Sequence, residues 1–351
     1  MGIFTALIVF SFLIFFHELG HFIAARFFGV HVEVFSIGFG KRFLTKQIGD
    51  TEWSFSVIPL GGYIRMKGQD DSDPRFTSYD DDSYNSKTPF QRIIISLAGP
   101  FANFFLAFLL YLAISQIGVP KLLSTVADLN QSHPAYESGM RAGDIITNIN
   151  GQPIRYWDEM AENIQKNQTP LHITILRDNK YLDLSITPKL LETTNRFGEV
   201  EKRNIIGISP DFNATDTVQY ALPHGIDYAY EQTKTASMLI VKGLQKLISG
   251  LVPMDNLSGV VGIVDTTSKV SHMGIVALLA FAALISVNLG VINLLPIPAL
   301  DGGHIMFNLY EMITKKAPSK EVMFKLTIMG WSILLSLMLL GLYNDINRLI
   351  G

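Results

Sequence analysis

Cysteine is absent from the 351 residues, which excludes disulfide staples, thiolate metal ligands and a cysteine nucleophile. Charge is also missing over long stretches. Ile93 to Val119 carries none, and Gly2 to Phe28 has no Lys, Arg or Asp before Arg26, with only His17, Glu18 and His21 interrupting its apolar residues. No basic residue precedes that first run and no small-residue cleavage site closes it, so it is expected to stay in the chain and not to act as a signal peptide. The net charge of -3 points to no class of partner.

What is present is apolar: 48% of residues are hydrophobic, and they are gathered into runs over 2–28, 93–119, about 273–300 and about 326–342. At about 1.5 Å per residue, each is long enough for a helix crossing a hydrocarbon core roughly 30 Å thick. Four spans are predicted. Basic residues fix the sides: Arg26, Lys41, Arg42 and Lys46 follow the first span, Lys87 and Arg92 precede the second, and Lys315, Lys316, Lys320 and Lys325 lie between the third and fourth. Those sides are expected to be cytoplasmic, with the interval between spans two and three facing outward.

The expected organisation is a first span over 1–28, a cytoplasmic segment over 29–92, a second span over 93–119, a soluble domain over 120–190 and a strand plus amphipathic helix over 191–272. A third span over 273–303, a cytoplasmic loop over 304–325, a fourth span over 326–343 and a tail over 344–351 complete the chain. Within the cytoplasmic segment, Glu52 to Val57 alternates polar and apolar residues, and after Pro59, Gly61 and Gly62 comes Tyr63 to Met66, so a short hairpin is predicted. Gln69 to Asn85, rich in Asp, Ser and Tyr, reads as a solvated loop and not a metal site. The soluble domain should have strands near 124–127, 145–149, 172–176 and 182–186 around a helix at 157–167, and after that domain Asn204 to Ser209 reads as another strand. Its Gly139, Gly143-Asp144-Ile145-Ile146 and Asn150-Gly151 pattern resembles the PDZ domains of bacterial proteases, which accept peptides as an added strand. Residues 226–251, apolar at helical spacing, are read as an amphipathic helix on the membrane or against the spans.

His17-Glu18-Leu19-Gly20-His21 places two imidazoles one helical turn apart on one face, where both can hold Zn²⁺, while Glu18 is offset and can reach a metal-bound water. Such a metal brings the pKa of its water towards about 7, and Glu18 would take the proton and pass it to the leaving amine. Three ionisable groups within five residues of a span need a common purpose, because burying even one in lipid is costly. A catalytic zinc usually has three protein ligands, so another span must supply one. The third run ends in Asn293-Leu294-Leu295-Pro296-Ile297-Pro298-Ala299-Leu300-Asp301-Gly302-Gly303-His304. Broken backbone of this kind at membrane depth belongs beside protein or a watery cavity. Asp301 is the candidate, with His304 and Glu311 as rivals. His17 lies about 14 residues, or roughly 21 Å, into its span, so both motifs reach the cytoplasmic side.

These motifs, with Gly61-Gly62-Tyr63-Ile64-Arg65-Met66 and Ala98-Gly99-Pro100-Phe101-Ala102-Asn103, resemble the site-2 proteases over nearly the whole chain, most closely the bacterial regulator-of-sigma-E protease branch. The resemblance implies a membrane α-helical fold with four transmembrane helices, a membrane-embedded zinc site, an α/β PDZ domain and a membrane-associated β-hairpin, in a bacterial inner membrane. It implies zinc on His17, His21 and Asp301, Glu18 as the catalytic residue, and substrate contacts from Asn293 and from Gly61, Gly62, Tyr63 and Ile64. Implied partners are single-pass membrane proteins such as anti-sigma factors or remnant signal peptides, the lipid bilayer, and a peptide at the PDZ groove. Nucleic acid is not among them. The interval 121–188 fits one PDZ domain, whereas many close relatives carry two in tandem. The competing readings are a membrane-anchored zincin that cuts soluble loops, a PDZ scaffold without activity, and a transporter using the broken third span as an ion site.

Overall fold

A computed structural model describes residues 2–69, 77–195 and 198–350. In chain order the elements begin with α1 (Gly2–Phe27), β1 (Val32–Ile48), β2 (Thr51–Met66) and α2 (Pro89–Ile117). Next come β3 (Val119–Leu122), β4 (Val126–Leu129), α3 (Pro134–Glu137), β5 (Ile145–Ile149), β6 (Gln152–Pro153) and α4 (Trp157–Lys166). They are followed by β7 (Leu171–Arg177), β8 (Lys180–Ile186), β9 (Lys189–Thr194), β10 (Val200–Ile205), β11 (Ile208–Pro210) and β12 (Thr215–Val218). The chain ends with α5 (Leu222–Ile248), α6 (Val260–His272), α7 (Ile275–Asn293), α8 (Asp301–Thr314) and α9 (Lys320–Ile350).

Two compact units divide the chain, one of residues 1–114, 222–245 and 253–351, the other of 115–221 and 246–252. The first holds the four helices long and apolar enough to cross a membrane: α1, α2, α7 and α9. Their outward faces carry Phe4, Ile8, Phe101, Ile333 and Leu335 exposed, an arrangement costly against water and natural against lipid. Between them, Leu13 of α1, Leu106 of α2 and Ile285 of α7 form a buried cluster, and Ser286 donates 2.8 Å to the Asn103 carbonyl. A second cluster joins Ala25, Phe35, Ile64, Tyr84 and Ile95, so α1, both strands and α2 share one core. Full burial of a side chain such as Phe35 contributes about 1.5–3 kcal/mol.

The hairpin is larger than the sequence pattern suggested. β1 is 17 residues long and β2 runs through Pro59 and Gly61 without a break. Val34, Phe35, Ser36 and Ile37 find partners on both sides, in Gly62 to Arg65 and again in Glu52 to Phe55. The alternation at Glu52 to Val57 was therefore visible, but its partner, β1, was not.

Further differences have physical causes. The loop expected over 69–85 lies partly on residues 70–76, outside the described residues, while its far end is not solvated: Ser83 and Tyr84 are buried. Ser83 Oγ donates 2.7 Å to the carbonyls of Ser78 and Asp80. Residues 304–325 are mostly helical, in α8 and the start of α9, because glycines at positions 302 and 303 fall in a first turn and leave the later amphipathic pattern intact. The tail expected over 344–351 continues α9 through Ile350, tied by Asn344 Nδ2 to the Met254 and Leu257 carbonyls at 2.9 and 3.1 Å. α6 falls in the 191–272 interval that was read as a strand and one helix.

In the second unit, β6-β5-β7-β8 form one sheet, and Ile146, Ile149, Ile173, Ile175 and Ile186 pack with Met160 and Ile164 of α4. Strands over 145–149, 171–177 and 180–186 and the helix over 157–166 match the expected ones, whereas the strand expected over 204–209 is divided at Ile206 and Gly207 between β10 and β11, which pair with β9 and β4. Arg177 closes the sheet's end on the buried Asp144 through two bonds of 2.6 and 2.7 Å, and the Asp144 carboxylate holds the guanidinium pKa above its ordinary value. The hairpin β9–β10 was not anticipated.

Candidate active site

α1 stays helical through its ionisable residues because Leu, Phe, Glu and Ala tolerate the conformation, with Leu13, Glu18 and His21 buried and Phe4, Ile8 and Ile23 exposed. The (i, i+4) spacing brings the rings of His17 and His21 edge to face, with centroids 4.8 Å apart and planes at 84°. Opposite them, α7 stops at Asn293, since the missing N–H groups of Pro296 and Pro298 forbid continuation. Residues 294–300 turn back, and α8 restarts at Asp301 with Leu300 extended as its N-cap. Gly302 permits that restart, because a Cβ there would overlap the Leu294 and Leu295 carbonyl groups.

The start of α8 meets α1 at its two histidines. His17 Nε2 and His21 Nε2 are 3.3 Å apart, and each lies 3.3 Å from an Asp301 oxygen, Oδ2 for His17 and Oδ1 for His21. Ligands on a tetrahedral zinc at about 2.0–2.1 Å stand roughly 3.3 Å from one another. Asp301 Oδ2 is buried and accepts no hydrogen bond. An acidic oxygen and two imidazole nitrogens facing inward at that spacing fit a divalent cation, and among the described residues these form the one group of three suited to it.

His304, in the first turn of α8, lines the same cavity outside that group. Glu311 is taken up elsewhere, accepting 2.8 Å from Arg92 at the start of α2. Glu18 is buried, and together with His17, His21 and Asp301 it lines a cavity of about 320 Å³. Gly61, Gly62, Tyr63 and Ile64 form the facing wall. Gly62 approaches closely, since a Cβ on it would lie 2.6 Å from Ile14 Cγ2 and 3.1 Å from Glu18 Cγ. Tyr63 is held by Arg42, whose Nη2 donates 3.0 Å to its hydroxyl, and stacks on Phe39. Asn293 Nδ2 lies 3.4 Å from His17 Nε2. All the residues singled out from the sequence therefore border one space, apart from Glu311.

Reasoning on the sequence missed how α2 backs the histidines. His21 Nδ1 donates 2.8 Å to the Ile95 carbonyl, and Asn103 reaches His17 Nδ1 at 3.0 Å. Pro100, inside α2, deprives the Ser96 carbonyl of its helical donor and opens the ladder beside the site. The available signal was Asn103, an amide near the middle of a run that carries no charge.

The family model described as Peptidase family M50 matches residues 5–337. A Campylobacter jejuni protein named as a zinc metalloprotease is 46% identical over 99% of this chain and 94% of its own length. The regulator of sigma-W protease RasP of Bacillus subtilis is 30% identical over 98% of this chain and 97% of its own. Among solved structures, the PDZ domain of an SdrC-like protein from Listeria innocua covers 25% of this chain and 92% of that domain, at 24% identity and a TM-score of 0.21.

Proposed function

This chain belongs to peptidase family M50 and is a zinc metalloprotease; from that premise we propose that it hydrolyses peptide bonds within the transmembrane segments of single-pass membrane proteins. The observation that carries this reading is the wall facing the histidines. Gly62, Tyr63 and Ile64 pair with Ile37, Ser36 and Phe35 on one side, and their other side lines the cavity that holds Glu18. A helical substrate shields its own peptide bonds, so it must unwind. An extended segment added along Gly61 to Ile64 would exchange lost helical bonds for strand bonds beside the reactive groups.

His17, His21 and Asp301 are the residues that would hold the zinc. When bound, it supplies a Lewis acid and an activated water. Glu18 takes a proton from the attacking water and returns it to the leaving amide nitrogen, which balances the hydrolysis. Asn293, beside His17, competes for the substrate's backbone hydrogen bonds. The surrounding apolar helices limit water and strengthen each electrostatic contact.

The chain is an integral membrane protein of a bacterial type. Its basic residues support an active site towards the cytoplasm and a PDZ module on the outer side. Substrates of the anti-sigma-factor or remnant-signal-peptide class fit a single-pass segment entering from lipid, and the PDZ module would bind a peptide strand.

The test reconstitutes wild-type and Glu18→Gln protein in lipid vesicles with single-pass substrates and maps products by mass. Cuts inside the apolar segment, lost in Glu18→Gln while zinc is retained, are expected. Cuts confined to soluble loops would favour the membrane-anchored zincin instead.

A further inference from the structure

α2 carries one fully buried amide, Asn103, with no assigned task. Its Nδ2 lies 3.0 Å from His17 Nδ1, and its Oδ1 is buried with no hydrogen-bond partner. For Nε2 of a neutral His17 to offer its lone pair to a cation, the ring must carry its proton on Nδ1. Two donors would then face each other at 3.0 Å while an acceptor stands idle in the protein interior. Both ends of an Asn amide fill the same volume, so hydrogen bonding alone decides which end meets the ring. A half turn of the amide removes the conflict and gives the ring N–H its acceptor.

His21 sets the pattern. Its Nδ1 already donates to the Ile95 carbonyl at 2.8 Å. Ile95, Gly99 and Asn103 are spaced four residues apart, so they stand on one face of α2, turned to α1. Ile95 accepts from one ring, Gly99 leaves room for it, and Asn103 meets the other. The backbone at Asn103 is itself pinned by Ser286 Oγ, 2.8 Å from its carbonyl oxygen.

We propose that Asn103 is a positioning residue whose Oδ1 accepts a hydrogen bond from His17 Nδ1–H, fixing the tautomer that leaves Nε2 open to zinc. The inference rests on His17 being a zinc ligand. One face of α2 thus orients both histidines of α1.

The experiment uses the full-length protein in detergent and measures zinc affinity by competition with a chelator, with the visible spectrum of the Co²⁺-substituted protein as a second readout. Asn103→Leu has similar volume and no acceptor, and should weaken zinc binding about 10- to 100-fold, the usual effect of losing such an outer partner. Asn103→Asp keeps an acceptor, and should bind zinc at least as tightly as wild type with an unchanged Co²⁺ spectrum. Thermal unfolding of the zinc-free variants separates a binding defect from a folding defect. If the amide instead donated to the ring, Asp would set lone pair against lone pair and weaken binding as much as Leu. That result, or unchanged affinity in Asn103→Leu, would overturn the proposal. Full zinc retention in His17→Ala would remove the ligand assignment itself, an outcome read independently of either Asn103 variant.

Discussion

Gly99 stands so close to His21 that a single carbon added to it would occupy the space of the imidazole. The contact lies between helices on the second turn after α2 enters the shared core, and it places the smallest residue opposite a ring that must keep one orientation.

Gly99→Ala should therefore displace His21 from the Ile95 carbonyl and weaken zinc binding by about 10- to 100-fold, the range for disturbing the surroundings of a ligand. Metal content of the purified variant, measured alongside Gly290→Ala, checks it. Gly290 also faces α2, but the nearest atoms to its added carbon would be the Phe104 ring at 3.1 Å and the Pro100 carbonyl oxygen at 3.2 Å. Equal zinc in wild type and Gly99→Ala would contradict the packing argument.

The second wall of the cavity gives a different signature. A methyl group at Gly62 would press on Ile14, the Ser36 carbonyl and Glu18, with no atom of His17 or His21 as near as these. Gly62→Ala should keep its zinc and lose turnover, because Glu18, in its proposed role as general base, would if moved by a fraction of an ångström forfeit much of the 10²- to 10⁴-fold that such a group contributes. Parallel zinc analysis and substrate cleavage distinguish this from the Gly99 variant, in which metal is lost first.

Those two glycines also mark how far the sequence could be read. The HExxH pair was legible because helical geometry converts a four-residue spacing directly into a shared face. The break after Asn293 was legible because Pro296 and Pro298 cannot donate. By contrast, β1 escaped notice: a strand with neighbours on both sides needs no polar and apolar alternation, and its partners are supplied by a folded-back β2. Tyr84 was hidden in a polar stretch, since nothing local to Ser83–Ser86 announces that Ala25, Phe35 and Ile95 will cover it. The support of His17 and His21 by α2 depends on how two helices pack, a property that spacing within either one does not encode. α8 follows the same rule, because two glycines look like a loop until the turn beneath them is known.

Acid should loosen the segment behind the hairpin. Lys67, just beyond β2, meets Asp80 at 2.9 Å and Asp82 at 2.7 Å. Its hydrogen bonds hold both carboxyls below their usual range. A depressed carboxylate pKa contributes stability above the unfolded value, near 4, and loses it as pH falls through the folded value. Amide exchange at Tyr84, whose N–H donates 2.9 Å to the Lys67 carbonyl, should thus keep its protection from pH 8 to about 5 and lose it below about 4. Loss of protection at neutral pH would show that the ion pairs do not hold this segment.

The remaining prediction concerns Glu311, the acidic residue on α8 that competed with Asp301 for the metal. It pairs with Arg92 at 2.8 Å, and the two side chains are only 22% and 13% exposed. Removing one partner of a pair buried to this degree leaves a charge with poor solvation and costs about 3 kcal/mol, whereas replacing both with apolar residues of similar volume is often neutral. Glu311→Ala should accordingly lower thermal stability, since the pair joins the start of α2 to the helix that carries Asp301. Arg92→Met combined with Glu311→Leu should recover most of the loss. Zinc stoichiometry should be unchanged in Glu311→Gln and fall in Asp301→Asn. A Glu311 variant that folded normally yet lost its metal would return that residue to the ligand set, and with it the question of which helix face completes the site.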